Sequence, residues 1–286
     1  MFRKKTAYAS IALLSLGLAA QAGAEDVPFM DRVSGVVQTD VTNAYYFRGI
    51  LQEREGVQLE PWTEVYLNLY SAEEGFLRGI TIGGGAWLSF QSERTLASED
   101  PQWLYEADYY PLLSLAFAGG VGLTTTYYWY SSPNGAFATA QELDFKFTWD
   151  DSEAFGRWSM KPWLNLAIET KNTAYGPNEG EAVQLGIAPT LWSSESKEYP
   201  VTLTGTGELG LAINNYYENA GGGENTFEYG NVGLLASLPL TFVPEGAGAW
   251  TLSMGAKYFF FSETLENANG GRSTYPVGTA SLAVAF

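Results

Sequence analysis

Along most of this chain, apolar and polar residues trade places at every step. Between Val57 and Tyr70, the residues Val57, Leu59, Pro61, Thr63, Val65, Leu67 and Leu69 fall on one side. Gln58, Glu60, Trp62, Glu64, Tyr66, Asn68 and Tyr70 fall on the other. A helix with 3.6 residues per turn would mix the two sets, whereas a strand separates them. The same alternation recurs over about 33–50, 57–70, 76–91, 103–117, 120–131, 139–150, 157–171, 181–193, 200–214, 226–242, 248–262 and 275–286. Twelve strands are therefore expected, in one domain spanning 25–286.

The connections carry a second pattern. Those after odd-numbered segments are mostly long and polar, as in Ser92–Gln102, Asn172–Gly180, Asn215–Asn225 and Thr264–Thr274. Those after even-numbered segments are often tight, as in Ser71–Gly75, Ala118-Gly119-Gly120 and Pro244–Gly248. Sheet edges cannot stand open in hydrocarbon, because each unpaired N–H or C=O costs several kcal/mol there. A closed sheet has no edges and turns one apolar face outward. The chain therefore predicts an all-β fold: an antiparallel transmembrane β-barrel of twelve strands, with both termini periplasmic and the long loops outside. A soluble β-sandwich is the competing architecture.

The ends of the chain agree with export to a bacterial outer membrane. Arg3, Lys4 and Lys5 precede an apolar run from Ile11 to Ala20, and Ala22-Gly23-Ala24 has the small-x-small spacing of a cleavage site. Residues 1–24 thus read as a cleaved signal peptide, the run being too short for a membrane helix. At the other end, the last segment finishes on Phe286, which resembles the signal by which the barrel-assembly machinery recognises its substrates.

Composition then removes whole classes of chemistry. The 286 residues include no cysteine and no histidine, so there is no disulfide, no thiolate nucleophile and no Ser–His or Cys–His dyad. With 32 acidic against 15 basic residues, no basic surface is available for nucleic acid. No enzyme activity, cofactor or metal site is expected. Membrane lipid and lipopolysaccharide are the expected surroundings, and small solutes the expected cargo. The polar side of the strands holds Asp40, Glu60, Glu64, Glu106, Asp108, Glu142, Asp144, Glu169 and Glu208 against Arg48, Lys146, Lys161, Lys171 and Lys257. As a lumen wall, this set would favour small hydrophilic solutes that are cationic or neutral, if water runs through it. Two alternatives stay open. The charges could pair and seal the interior, or the barrel could be non-conducting and act through acidic external loops as a structural or adhesive protein.

Aromatic residues cluster near the segment ends. They include Tyr45, Tyr46, Phe47, Trp62, Trp103, Tyr109, Tyr127, Trp129, Trp149, Trp158, Trp192 and Trp250; those facing outward are candidates for two interfacial girdles, whereas Trp62, Trp87 and Trp163 fall on the inward face. If the turn at Glu53–Gly56 closes the first hairpin symmetrically, Arg48 lies opposite Glu60 on the lumen face, with Glu64 on the same wall.

The stretch from Asp40 to Gln52, DVTNAYYFRGILQ, resembles the opening signature of the TorF-like porin family, in which an aromatic-rich strand leads into F-R-G-I-x-Q. Phe47, Arg48, Gly49, Ile50 and Gln52 match that pattern, while Leu51 stands where the family has a small polar residue. The resemblance covers the first hairpin and implies an outer-membrane barrel with channel function, without naming a solute.

Overall fold

A computed structural model describes residues 29–94, 96–196, 198–218, 223 and 225–286; the expected signal peptide lies outside them. The strands are β1 (Val33–Thr42), β2 (Tyr45–Phe47), β3 (Ile50–Glu53), β4 (Gln58–Ser71), β5 (Leu77–Gln91), β6 (Leu104–Phe117), β7 (Val121–Ser131), β8 (Ala140–Trp149), β9 (Trp163–Lys171), β10 (Glu181–Ile187), β11 (Thr190–Ser193), β12 (Thr202–Asn214), β13 (Phe227–Pro239), β14 (Ala249–Phe261) and β15 (Thr274–Ala285). Two short helices, α1 (Ser152–Phe155) and α2 (Glu263–Ala268), lie in connections.

Every wall strand pairs antiparallel with its neighbours, β1 pairs with β15, and β10 pairs with β12, which closes the ring. β10 and β11 are one stave interrupted at Ala188 and Pro189, where proline has no N–H to give the ladder. With β2 and β3 set aside as a separate two-stranded sheet, the result is a closed barrel of twelve staves. The terminal residue finishes the seam: Phe286 N–H donates to Gly35 O at 3.0 Å and Gly35 N–H to Phe286 O at 2.9 Å. The Phe286 ring lies over Gly35, where a Cβ would come within 2.5 Å of it.

Period two decides which side each residue takes. On β14, Thr251 and Ser253 are buried inside while Leu252, Met254 and Tyr258 stand exposed outside. Met254 is 65% exposed and Val232 57%, as are many apolar residues round the barrel. An apolar exterior that continuous is one that hydrocarbon, not water, solvates. Trp103 and Trp129 face outward near the loop end, and Trp149 and Trp192 near the end that carries the termini. All four thus take the outward positions that interfacial girdles require.

Three segments depart from expectation. The first stave does not run to residue 50 but stops at Thr42. Asn43 clamps the last rung, its Oδ1 accepting from Gly278 N at 2.7 Å, and the chain then turns into the barrel as the β2–β3 hairpin. The eighth segment, 181–193, is broken as described. The seventh begins at Trp163 rather than 157, because Asp151 holds the preceding turn. Its carboxylate accepts from the Ser159 hydroxyl, from Met160 N at 3.1 Å and from Lys161 N at 2.9 Å. Lys161 consequently sits in this turn with φ 47, not on a lumen-facing strand.

Asp151 also gives the turn a pH dependence. Burial opposes its charge, but the hydrogen bonds from Ser159, Met160 and Lys161 outweigh that and hold its carboxyl below the ordinary 3.8. A folded-state pKa lowered in this way contributes stability at neutral pH, lost as pH falls through the folded value. In urea titrations, wild type should be more stable than Asp151→Asn at pH 7. The gap should narrow as pH falls below 3.8 and close once the folded-state carboxyl is itself protonated.

Candidate functional site: an occluded lumen

The inner hairpin is built around a two-residue turn. Arg48 and Gly49 both have positive φ, 47° and 80°, as the tight turns favoured between twisted strands require. Its ladder bonds run between its own strands, and side chains tie it to the wall. Tyr45 packs on Trp87 at 5.1 Å between ring centres, Tyr46 stacks on Phe259 and Phe261 at 5.3 Å, and Phe47 meets Tyr130 edge-on at 5.2 Å. These three aromatics therefore line the interior and belong to no girdle.

At the tip, Arg48 reaches across the lumen to β8. Its guanidinium donates through both terminal nitrogens to Glu142, and Nη2 also meets Asp144 Oδ2 at 3.0 Å. The Arg48 and Glu142 side chains are only 7% and 2% exposed, so water does not weaken this pair. Tyr216 lies against the same site: its hydroxyl contacts Arg48 Nη1 and donates to Glu142 Oε2 at 3.0 Å. Tyr217 donates to Arg48 O at 3.1 Å. From the last loop, Asn269 accepts from Leu51 N and donates to Gly49 O, both at 2.9 Å. Ile50, Tyr216, Tyr217, Tyr229, Phe259, Phe261 and Leu265 complete an apolar core inside the loop end of the barrel.

Arg48 does not face Glu60. The β1–β4 register puts Asp40 opposite Glu60 and ends at Thr42 opposite Gln58, so the symmetrical first hairpin is overturned. The physical reason is the exit at Asn43, which carries Arg48 off the wall.

The other expected lining residues occupy several environments. Glu64, opposite Val36, accepts from Tyr110 OH at 2.8 Å and from Tyr66 OH. Lys146 stands 5.1 Å from the centre of the Trp163 ring. Glu208 accepts from Gln184 at 3.0 Å, Tyr229 at 2.5 Å and Asn231 at 3.3 Å. Glu169 accepts from Ala174 N and Gly180 N, bracing a loop. Lys257 lies on the inward face of β14, opposite Gly233 and Val277. Asp40, Glu60, Glu106 and Asp108 share the wall of β1, β4 and β6. Arg48 is the one cation that ion-pairs with lumen carboxylates among the described residues. Tyr216, Tyr217 and Asn269 escaped sequence reasoning. They lie in polar loops, and only the adjacent tyrosines beside Asn214 and Asn215 hint at burial.

No family model matches the chain, and no curated protein sequence matches it. Solved structures similar to it include the NanC porin, at 11% identity and a TM-score of 0.39 over 88% of this chain and 98% of that one. An outer membrane channel from Pseudomonas putida F1 shows 11% identity and 0.44 over 89% and 95%. Outer membrane phospholipase A from Escherichia coli shows 13% identity and 0.39 over 95% and 93%. These overlaps are loose, and the fold rests on the closed strand ladder itself.

Proposed function

We propose that the protein is a narrow channel of the bacterial outer membrane, with its termini in the periplasm and the β2–β3 hairpin closing it in the state described. It would pass small hydrophilic solutes, cationic or neutral. The observation that carries this reading is the construction of the obstruction. The closing element is a hairpin bonded to itself and attached by side chains, so it can leave without breaking a stave. A barrel filled only for rigidity gains nothing from unpaired carboxylates on its inner face, because buried charge without a partner destabilises. The residues that resemble the TorF-like signature form this hairpin turn, which supports the same reading. The phospholipase neighbour's chemistry is not carried over, since the chain has no histidine.

Planar-bilayer recording tests the proposal. Wild type should conduct in rare, small steps, and replacing 45–53 with a short Gly-Ser link should give a steady and larger current. A folded hairpin-less barrel that stays silent would leave only the non-conducting alternative, a barrel working through its loops.

A further inference from the structure

Away from the Arg48 latch, the wall behind the hairpin carries a set of carboxyl groups that no lysine or arginine ion-pairs among the described residues. Register fixes its layout. Asp40 faces Glu60 across β1 and β4, the pairs Leu59–Phe90 and Trp62–Trp87 set Glu60 beside Ser89, and Ser89 faces Glu106 across β5 and β6. These four residues form one row across four strands. The next row inward reads Gln38, Trp62, Trp87 and Asp108 in the same way. Strands lie about 4.8 Å apart, so Asp40 and Glu60 are direct neighbours and Glu106 stands two strands further on. No lysine or arginine ion-pairs with any of the four carboxylates among the described residues.

A second observation is independent of the charge. Ser89 is completely buried and Gln91 is 3% exposed, yet among the described residues the Ser89 hydroxyl and both amide atoms of Gln91 have no hydrogen-bond partner. One oxygen each of Glu60 and Asp108 is also unsatisfied. Buried polar atoms are nearly always paired, so several orphans facing one patch leave donors and acceptors there that a ligand could meet. Aromatic faces flank it: Tyr45 lies on Trp87, with Tyr105 at 6.4 Å from Tyr45.

We propose that this wall binds an organic cation, the ammonium or guanidinium group of a small hydrophilic solute. A hard metal ion needs several oxygens converged at about 2.3–2.6 Å, and no such grouping of acidic side chains occurs among the described residues. Carboxylates spread along a row, with hydroxyl and amide acceptors between them and aromatic rings beside them, suit a multivalent donor that also stacks. The inference rests on the channel reading for the solute's class and route, but binding can be measured without conduction.

The test uses the full-length barrel refolded in detergent, with methylguanidinium chloride as probe and sodium chloride at equal ionic strength as reference. Methylguanidinium should raise the thermal midpoint of wild type above the sodium reference. In the double variant Glu60→Gln/Asp108→Asn, the affinity read from that shift should drop about ten-fold or more. The same variant, which removes two carboxyl groups, each with a buried oxygen, that no cation ion-pairs among the described residues, should unfold at or above the wild-type temperature without probe, which excludes misfolding as the cause. No shift beyond sodium in wild type, an undiminished shift in the variant, or a response to Mg²⁺ alone would each overturn the proposal. A barrel that binds the probe but never conducts would sink the channel and leave this site standing.

Discussion

On the channel reading proposed above, Arg48→Ala should raise the fraction of time spent conducting ten-fold or more in planar bilayers. The guanidinium is the counter-charge for Glu142 and Asp144, whose side chains are 2% and 10% exposed. Removing one partner of a buried ion pair leaves uncompensated charge and costs about 3–5 kcal/mol. The twelve staves do not depend on that contact, so the loss falls on the hairpin, which swings out until water reaches the two carboxylates. Folding of the variant is checked by retention of heat-modifiable migration on gels. Arg48→Lys should be intermediate, since an ammonium cannot fork between two carboxylates as a guanidinium does. Combining Arg48→Met with Glu142→Gln and Asp144→Asn removes the stranded charge and should restore closure. A folded Arg48→Ala barrel with wild-type current would refute the latch.

The second large effect is expected at Gly210. The Tyr229 ring packs so closely on Gly210 that an added Cβ would overlap it, and on its other side a Cβ at Gly49 would come within 2.6 Å. The ring is thus held between the wall and the hairpin tip, with its hydroxyl fixed by Glu208 and Gln184. Overpacking of this kind typically costs about 1–3 kcal/mol. Gly210→Val should therefore lower the urea midpoint and also raise conductance, because the displaced ring pushes on Gly49. Tyr229→Ala added to Gly210→Val removes the overlap, so the pair should destabilise by about 1 kcal/mol less than the two changes summed. Strict additivity would show that the ring does not couple wall and hairpin.

The wall was legible because a membrane barrel enforces one rule at every residue. Leu252 and Met254 must meet hydrocarbon and Thr251 and Ser253 the interior, so alternation alone places them. What escaped was the point where the rule is suspended. Tyr45, Tyr46 and Phe47 continue the strand-like composition of β1, and nothing in their identity reveals that the wall ends at Asn43. The turn is also hidden, since Arg48 takes a positive φ that favours glycine or asparagine. Asp144 could be placed on the inner face from its neighbours, but its partner arrives from 96 residues away. Asp151 explains the other discrepancy: alternation extends backward from Trp163 to Trp158, and a single carboxylate converts that stretch into a capped turn.

The contacts that seat the hairpin are also remote along the chain. Arg48 waits for residues 94 and 168 positions later, and Gly49 and Leu51 for Asn269, 220 and 218 positions later. Neighbouring staves can zip up in order, but the stopper cannot be set until nearly the whole polypeptide has been delivered. The ring and its stopper are therefore completed together, once the final loop and β15 are both in place. A truncation before that loop is expected to lose closure of the wall and the hairpin's seat in one step, whereas Asn269→Ala, which keeps β15, should loosen the hairpin alone.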